Sequence, residues 1–393
     1  MAIAPNVLKG KPSLRVLGTS VTLIEPIRKQ AEKDLGINLD FTILDGTEAQ
    51  RRGALRPESF DVYDQWFHDL DLIWPAGSIG AIDINRINNW EQINALPKTG
   101  RLNGNARSGL HGDPSKRLYV QLDGSLGRAP SDQISMLPTV HNADSFVVPE
   151  NMADEVTSWA CLLDAKWAGR VVLQRDAAIG CLDILLALSA TREFLAADIG
   201  NLELEEIDDL ARILRSYRTQ GHFKSIWTDE IDAIEVIDGN TPVIGSMWWS
   251  GLIALRAKGI PVTMATPAEG YRGWFGGIAL SNRLDERTLD AAYEYLNWWL
   301  DGPAGALATR NGAYMSNPLA SRAYLSEAEW DFWYEGKPAR ELIRNTFGVP
   351  VFKVGDVRAG GAYEERMSKV IVWDTIMDEH NYLVRHWDYA LGL

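Results

Sequence analysis

The sequence contains little cysteine and no long apolar run. Its 393 residues include two cysteines, Cys161 and Cys181, and no CxxC pair or local Cys/His cluster. This excludes a disulfide framework and a sequence-local zinc site, and we expect two free, buried thiols. The apolar run Ile184–Leu188 is far shorter than the roughly 20 residues that a membrane-spanning helix needs.

Positive charge is also scarce. The chain has 39 Lys and Arg against 53 Asp and Glu, which gives a net charge of −14. No block of basic residues compensates, so we predict no nucleic-acid partner. Apolar residues make up 46% and charged residues 23%, which is typical of a folded protein with a large core. At about 150 residues per domain, the length suggests two or three domains.

The familiar sequence motifs of catalysis and phosphate binding are missing. We find no GxGxxG after a strand, no Walker loop, no HExxH and no GxSxG. The six histidines are scattered and have no metal-like partner nearby, so we predict no metal and no cofactor. These absences favour a protein that is not an enzyme. They leave an enzyme open, because catalytic triads assemble from distant segments.

Tryptophan, in contrast, is abundant. The chain has 15 Trp, more than its 12 Tyr or 10 Phe. Indole rings fill cores, and they also stack on planar or cationic ligands. We expect most of them to pack the core and a minority to line a binding site.

Two α/β halves precede a helical tail in the predicted order of elements. Leu14–Leu17 reads as a strand, a helix containing Pro26 ends at Gly36, and Ile37–Ile43 alternates as a second strand. This strand–helix–strand order predicts a parallel pair. Residues 98–134 form a loop rich in Gly, Asn, Ser, Pro and Asp, which is long enough to be functional or mobile. The later predicted strands are Arg170–Leu173, Pro242–Met247, Ile260–Met264 and Ile278–Ser281. The later predicted helices are Ala177–Leu188, Glu205–Thr219, a helix from about Ser250 to Gly259, Glu286–Leu300, Glu327–Tyr334 and Ala362–Met377.

Several segments, spread over nearly the whole chain, together resemble one protein family. They are Ser59–Tyr63 (SFDVY), Thr157–Ala160 (TSWA), Lys166–Val171 (KWAGRV), Met247–Gly251 (MWWSG), Pro267–Gly270 (PAEG) with Trp274, and Ala291–Leu300 with Gly302–Gly305. The chain resembles the periplasmic substrate-binding proteins of ABC transporters, in particular the spermidine/putrescine-binding branch. No single segment is decisive, and the combination carries the resemblance.

The resemblance implies a two-lobed α/β fold of the periplasmic-binding-protein type, type II-like, in which a hinge closes the lobes on a ligand. The first lobe would comprise residues 1–139 and 270–393, with the helical tail packed on it, and the second lobe residues 140–269. It further implies a monomeric solute receptor of an ABC import system, with a membrane permease as its partner. The implied location is periplasmic. The first six residues lack the features of a secretory signal, so a cytoplasmic location stays open.

The candidate site residues of this chain differ from the family pattern in the charge that they offer to a ligand. The resemblance places aromatic walls at Trp249 and Trp274 and a carboxylate at Asp176, whereas Ile179 and Gly276 stand where the family has acidic residues. Arg175 directly precedes Asp176, and Arg272 lies two residues before Trp274. A guanidinium binds an acidic group well, because its planar N–H donors match the two oxygens of a carboxylate. A helix beginning at Thr19–Ser20 would also favour an anion. We therefore predict a small polar ligand with an acidic group, a zwitterion or an organic acid.

A polyamine or other amine is the alternative ligand, with the two arginines held in salt bridges. Asp176 also suits a helix N-cap, and the two candidate histidines suit hinge or core packing. Trp248, next to Trp249, is expected to point into the core. The predicted ligand-binding residues are Thr19, Ser20, Trp66, His68, His141, Arg175, Asp176, Trp249, Tyr271, Arg272 and Trp274.

Overall fold

The computed structural model describes residues 11–102, 106–107, 109 and 111–393. Its strands, numbered in chain order, are β1 Ser13–Gly18, β2 Asn38–Ile43, β3 Val62–Trp66, β4 Ile79–Gly80, β5 Ile82–Asp83, β6 Arg101–Leu102, β7 Ala106–Arg107, β8 Tyr119–Val120, β9 Leu126–Gly127, β10 Gln133–Ile134, β11 Leu137–Asp144, β12 Phe146–Pro149, β13 Val171–Gln174, β14 Phe223–Trp227, β15 Ile244–Ser246, β16 Val262–Met264, β17 Tyr271–Ser281, β18 Tyr314–Met315, β19 Ile343–Arg344, β20 Pro350–Phe352 and β21 Val370–Trp373.

Its α-helices are α1 Glu25–Leu35, α2 Gly46–Leu55, α3 Leu70–Ile73, α4 Ala95–Thr99, α5 Gly180–Thr191, α6 Leu204–Thr219, α7 Glu230–Val236, α8 Trp249–Ala257, α9 Glu286–Leu300, α10 Pro303–Arg310, α11 Pro318–Arg322, α12 Glu327–Trp333, α13 Tyr363–Ser368 and α14 His380–Leu391. No helix of the described residues is long and apolar enough to cross a membrane. Both cysteines are free, with Cys181 buried and Cys161 half-buried.

A large mixed sheet forms the first lobe. Its strand order is β18-β11-β17-β3-β1-β2, and β4 and β21 also pair with β17. β1 is parallel to both β2 and β3, as the strand–helix–strand pattern predicts. β17 is buried along its whole length and runs antiparallel to both β3 and β11. This lobe therefore places the carboxyl ends of β1 and β3 beside the middle of β17.

A five-stranded sheet with the order β14-β13-β15-β12-β16 forms the second lobe. β13 is parallel to β14 and β15, so these three strands end at the same edge. The predicted strands near 171, 244 and 262 and the predicted helices near 180, 204 and 249 are confirmed, with boundaries that differ by a few residues. The two-lobed α/β architecture is confirmed.

Three segments connect the lobes. The chain leaves the first sheet after Asp144 and enters the second at Phe146, and it returns between Met264 and Tyr271. The predicted boundary at 139/140 lies inside β11, and that at 269/270 lies just before β17. The third connection follows β21 and leads into α14, which packs on α6.

The C-terminal segment corrects the prediction in two ways. The predicted helix Ala362–Met377 is wrong, because only α13 is helical there and β21 follows it. The β-branched run Val370–Val372 pairs with β17, since a buried β neighbour outweighs local helix propensity. The tail is also not confined to the first lobe. The apolar side of α14, with Leu383 and Trp387, shares a core with Leu210 and Leu214 of α6.

The start of the first helix is a further correction. The predicted helix start at Thr19–Ser20 is wrong, because α1 begins at Glu25 with Pro26 in its first turn. Residues 19–22 form a turn in which the Leu23 N–H donates to the Thr19 carbonyl. The predicted anion site at a helix N-terminus is therefore not formed there. The end of α1 is as predicted, since Gly36 takes the left-handed conformation that stops the helix.

The segment predicted as a long loop contains short strands. β8, β9 and β10 pair with one another and with β5 in a small separate sheet. Residues 103–105, 108 and 110 of this segment lie outside the described residues, as do residues 1–10 with the predicted absence of a signal.

Candidate functional site

The two lobes meet at the carboxyl ends of their parallel strands. Trp66 ends β3 in the first lobe, and its ring centroid lies 5.7 Å from that of Trp248, which follows β15 in the second lobe. Trp248 in turn makes an edge-to-face contact with Trp227 at the end of β14, at 5.2 Å. Open α/β sheets bind ligands at this edge, so the aromatic contact marks a closed cleft.

A small cavity lies on the first-lobe side of this contact, and we call it the Asp64 cavity. Its volume is about 10 Å³, which is close to the space that one water-sized group needs. Among the described residues no Lys, Arg or His lines it. The lining residues are Thr19, Val21, Thr22, Asp64, Gln65, Trp66, Val140, Trp274 and Gly276.

Two residues that line this cavity have a buried acceptor atom without a hydrogen-bond partner among the described residues. Asp64 is 2% exposed and accepts a hydrogen bond from the Thr22 hydroxyl at 2.9 Å through Oδ1. Its Oδ2 has no hydrogen-bond partner in the described part of the chain, and neither has Oε1 of the buried Gln65. Burial raises the pKa of Asp64 to about 7. The lining therefore includes a buried carboxylate whose second oxygen has no donor in the described part of the chain.

Aromatic rings form the walls. Trp66 stacks on His68 with centroids 5.7 Å apart and lies against Gly46, where a Cβ would meet the indole at 2.3 Å. Trp274 is fixed by its indole N–H, which donates to Asp144 Oδ2 at 2.7 Å. Gly276 lies against this wall, because a Cβ there would clash with Val140 at 2.8 Å and contact the Trp274 ring at 3.5 Å.

A larger cavity of about 240 Å³ lies between the lobes, and we call it the interlobe cavity. It contains Arg175 and Asp176 from the loop after β13. Acidic residues outnumber basic ones in its lining, which consists of Asp45, Thr47, Glu48, Gln50, Arg175, Asp176, Ala177, Thr228, His380, Val384, Trp387 and Asp388.

Arg175 and Asp176 already have partners in the chain. Arg175 donates to both carboxylate oxygens of Asp388, at 3.2 and 3.0 Å, although 42% of its side chain remains exposed. Asp176 accepts from the Ala178 N–H at 2.8 Å and so caps the turn before α5. Burial raises the pKa of Asp176.

Arg272 lies in the interior, away from both cavities. Its Nε donates to Asp183 Oδ1 at 2.7 Å, and its Nη1 donates to Asp374 at 2.7 and 2.9 Å. The arginine and both carboxylates are nearly inaccessible. Of the two arginines predicted to hold an acidic group, Arg272 is therefore buried in ion pairs, and Arg175 is partly occupied by Asp388.

Three other predicted site residues pack in the core. Trp249 lies between two buried guanidiniums, with Arg358 4.3 Å and Arg366 5.1 Å from its ring. Tyr271 lies under Arg366 at 4.5 Å. His141 is within hydrogen-bond distance of the Tyr363 hydroxyl, at 3.0 Å, and burial lowers its pKa to about 3.

The remaining predictions divide between the cavity and its surroundings. Thr19, Trp66 and Trp274 line the Asp64 cavity. His68 supports Trp66 from behind and is buried, which lowers its pKa. Ser20 is half-exposed beside Thr19 and is not a lining residue.

Asp64, Gln65 and Trp248 are not among the predicted ligand-binding residues, although the resemblance places all three at the carboxyl ends of their strands, where such sheets bind ligands. A signal for the first was present, because Asp64 is a carboxylate inside the otherwise largely apolar strand Val62–Trp66. An aspartate seldom occupies a fully buried strand position unless it is paired or functional. Trp248 was expected in the core, yet it contacts Trp66 of the opposite lobe. Trp249 also meets the first lobe, at Trp333 and Arg358.

Comparison with known proteins agrees with this geometry. A family model described as bacterial extracellular solute-binding protein matches residues 68–329. In the described residues no cluster of three or more His, Cys, Asp or Glu side chains could hold a metal ion.

Solved structures share the fold at low sequence identity. A putative spermidine/putrescine ABC transporter protein from Listeria monocytogenes matches with a TM-score of 0.67 and 12% identity, covering 97% of this chain and 99% of that one. The Tp0655 (TpPotD) lipoprotein of Treponema pallidum matches with a TM-score of 0.68 and 10% identity, covering 97% of this chain and 100% of that one. The binding protein AgtB from A. tumefaciens R10, in complex with agropinic acid, matches with a TM-score of 0.60 and 11% identity, covering 97% of this chain and 96% of that one.

Proposed function

The chain belongs to the family of bacterial extracellular solute-binding proteins, and we propose that the solute it binds carries a protonated amino group. One observation carries this proposal. Two residues that line the Asp64 cavity have buried acceptors without partners in the described chain, Asp64 Oδ2 and Gln65 Oε1, and no cationic side chain lines it. A ligand that complements this cavity must supply donors and positive charge.

A primary ammonium group meets these requirements. It has three N–H donors and no acceptor, and it is close in size to the water-sized space available. The indoles of Trp66 and Trp274 line the cavity, and an indole attracts a cation placed over its face, more strongly where water is excluded. The net charge of −14 also favours the approach of a cation.

The receptor works by closure of its lobes and not by catalysis. Solute held in the first lobe favours the closed cleft in which Trp66 meets Trp248, because a ligand shifts an equilibrium toward the state it binds better. The closed, loaded protein then delivers its solute to the membrane permease of an ABC importer. This role places the protein as a monomer outside the cytoplasmic membrane.

A zwitterion is the second candidate. Its ammonium would occupy the Asp64 cavity, and its acidic group would reach Arg175, whose side chain is 42% exposed in the interlobe cavity. The solved relatives do not decide between the two, since their names include both spermidine/putrescine and agropinic acid.

A thermal-unfolding panel tests the proposal. It contains methylammonium, putrescine, spermidine, several amino acids, and organic acids without an amino group. A bound solute at a hundred times its Kd adds about 2.7 kcal/mol to stability, so amines should raise the unfolding temperature. A response confined to acids without an amino group would refute the proposal. Arg175→Ala separates the candidates, because it should weaken only zwitterions.

Asp64→Asn is the decisive variant. Charge-assisted hydrogen bonds contribute about 1.5–3 kcal/mol, so we expect the variant to bind the responding amine about 10- to 100-fold more weakly in calorimetric titration. Asp61→Asn is the matched control, because Asp61 pairs with Arg15 and does not line the cavity. Equal affinities for wild type and Asp64→Asn would exclude Asp64 as the anchor.

A further inference from the structure

One buried ion-pair cluster joins all three interlobe connections. Asp144 ends β11 at the first connection, Arg272 follows the second, and Asp374 begins the third. Arg272 donates to Asp374 and also to Asp183 of α5 in the second lobe. The Asp183 carboxylate accepts a further hydrogen bond from Ser246 at 2.5 Å. All of these side chains are at most 4% exposed.

Asp144 belongs to this cluster by position but not by hydrogen bond. It stands directly opposite Arg272 in the β11–β17 pairing, yet the arginine's bonds go to the other two carboxylates. Asp144 Oδ2 instead accepts the indole N–H of Trp274, its diagonal neighbour, at 2.7 Å. Its Oδ1 has no hydrogen-bond partner in the described residues.

The hydrogen bond to Asp144 fixes the orientation of the Trp274 ring. Its ring borders Gly276, which has no side chain to hold the indole on that side. A charge-assisted bond from the indole N–H to a carboxylate fixes the ring's direction better than packing alone. The wall of the Asp64 cavity is thereby joined to the residues on which the lobes turn.

We propose that Asp144 is a positioning residue for solute binding, which holds Trp274 as a cavity wall and ties that wall to the hinge. The inference rests on the proposed function. Asp144 itself does not line the cavity, so its effect on the solute is exerted through the indole.

The test replaces Asp144 with a side chain of similar size that cannot accept a hydrogen bond. Asp144→Leu should weaken putrescine binding about tenfold, and Asp144→Asn, which keeps an acceptor oxygen, should stay within about threefold of wild type. Asp34→Leu is the control, because Asp34 likewise accepts an indole N–H, that of Trp298 at 2.9 Å, and neither residue lines the cavity. A loss in Asp144→Leu no greater than that in Asp34→Leu would overturn the proposal.

A double-mutant cycle with Trp274→Phe separates positioning from general destabilisation. Trp274→Phe removes the N–H, so Asp144→Leu should cause little further loss of affinity in that background. Fully additive losses would contradict the proposal. If Asp144→Leu does not fold, the same cycle with Asp144→Ala, which also lacks an acceptor, and the shift of the Trp274 indole ¹⁵N–H resonance provide the answer.

The indole resonance also distinguishes this inference from the proposed function. If wild type binds neither methylammonium, putrescine nor spermidine, the proposed amine ligand fails. A Trp274 indole resonance that moves in Asp144→Leu but not in Asp34→Leu would still support Asp144 as the residue that fixes this wall. An unmoved resonance would refute the positioning role whatever the ligand is.

Discussion

At the scale of single residues, the hydrogen-bond and ion-pair partners of each candidate side chain decide whether it is available to a ligand. Arg272 has the side chain that an acidic ligand would choose, but Asp183 and Asp374 occupy its donors. Both partners are distant in sequence, so no local pattern could reveal them. Asp64 is the opposite case, because its carboxylate has only one partner and one free oxygen in the described chain. The resemblance indicates that the family has an acidic residue where this chain has Gly276. Asp64 lines the same cavity as Gly276 and supplies a carboxylate there from another strand.

The pKa of Asp64 makes solute affinity depend on pH. Burial raises it to about 7, whereas an alkyl ammonium with a pKa near 10.4 stays charged throughout. Binding needs the ionised carboxylate, so below about pH 7 each bound ammonium must displace a proton. We expect the affinity for putrescine to fall about tenfold per pH unit below about pH 7 and to level off above about pH 8.

Calorimetric titration between about pH 5.5 and pH 8.5 measures this slope. Other buried carboxyls also have raised pKa values, to about 6 for Asp144 and about 7 for Glu230. Asp64→Asn assigns the effect, because it should bind weakly with a much flatter pH profile. A wild-type affinity that is constant over the range, or a slope that survives in Asp64→Asn, would show that Asp64 is not the titrating group.

At the scale of elements, periodicity found the strands and helices but not their neighbours. The βαβ unit of β1, α1 and β2 was predictable because alternation and a glycine stop are local signals. The helix predicted for Ala362–Met377 failed because β21 gains a partner in β17 that lies about a hundred residues away in the sequence. For the same reason the sequence could not show that α14 packs on α6.

The docking of α14 predicts a local effect of Trp387→Ala. Trp387 is 2% exposed, and its indole N–H donates to the Arg175 carbonyl at 2.6 Å. Loss of a buried Trp costs about 3–5 kcal/mol, so amides of both α14 and α6 should exchange with deuterium at least about tenfold faster. Arg385→Ala on the same helix is the control, since Arg385 is exposed and its Nε donates within α14 to the Asn381 carbonyl. Unchanged exchange in α6 would mean that α14 contributes little to the second lobe.

At the scale of the whole molecule, the aromatic contact between lobes should control closure. Trp248 contributes no lining to the Asp64 cavity, but in the closed form it touches Trp66 from the opposite lobe and extends to Trp227. The contact with Trp66 is lost when the lobes part, whereas the contact with Trp227 lies within the second lobe and remains. Aromatic pairs contribute about 0.5–1.5 kcal/mol beyond the area they bury, so Trp248 stabilises the closed state selectively.

Trp248→Ala should therefore open the unliganded protein and weaken solute binding without altering the ammonium subsite. We expect about a tenfold loss of putrescine affinity, because apparent affinity scales with the population of the binding-competent state. X-ray scattering should show a larger radius of gyration without putrescine and the wild-type value at saturation. Trp74→Ala, which removes a half-buried indole of the first lobe bonded to the Gly124 carbonyl, should change neither quantity. A Trp248→Ala protein that closes and binds like wild type would mean that the ligand alone holds the lobes together.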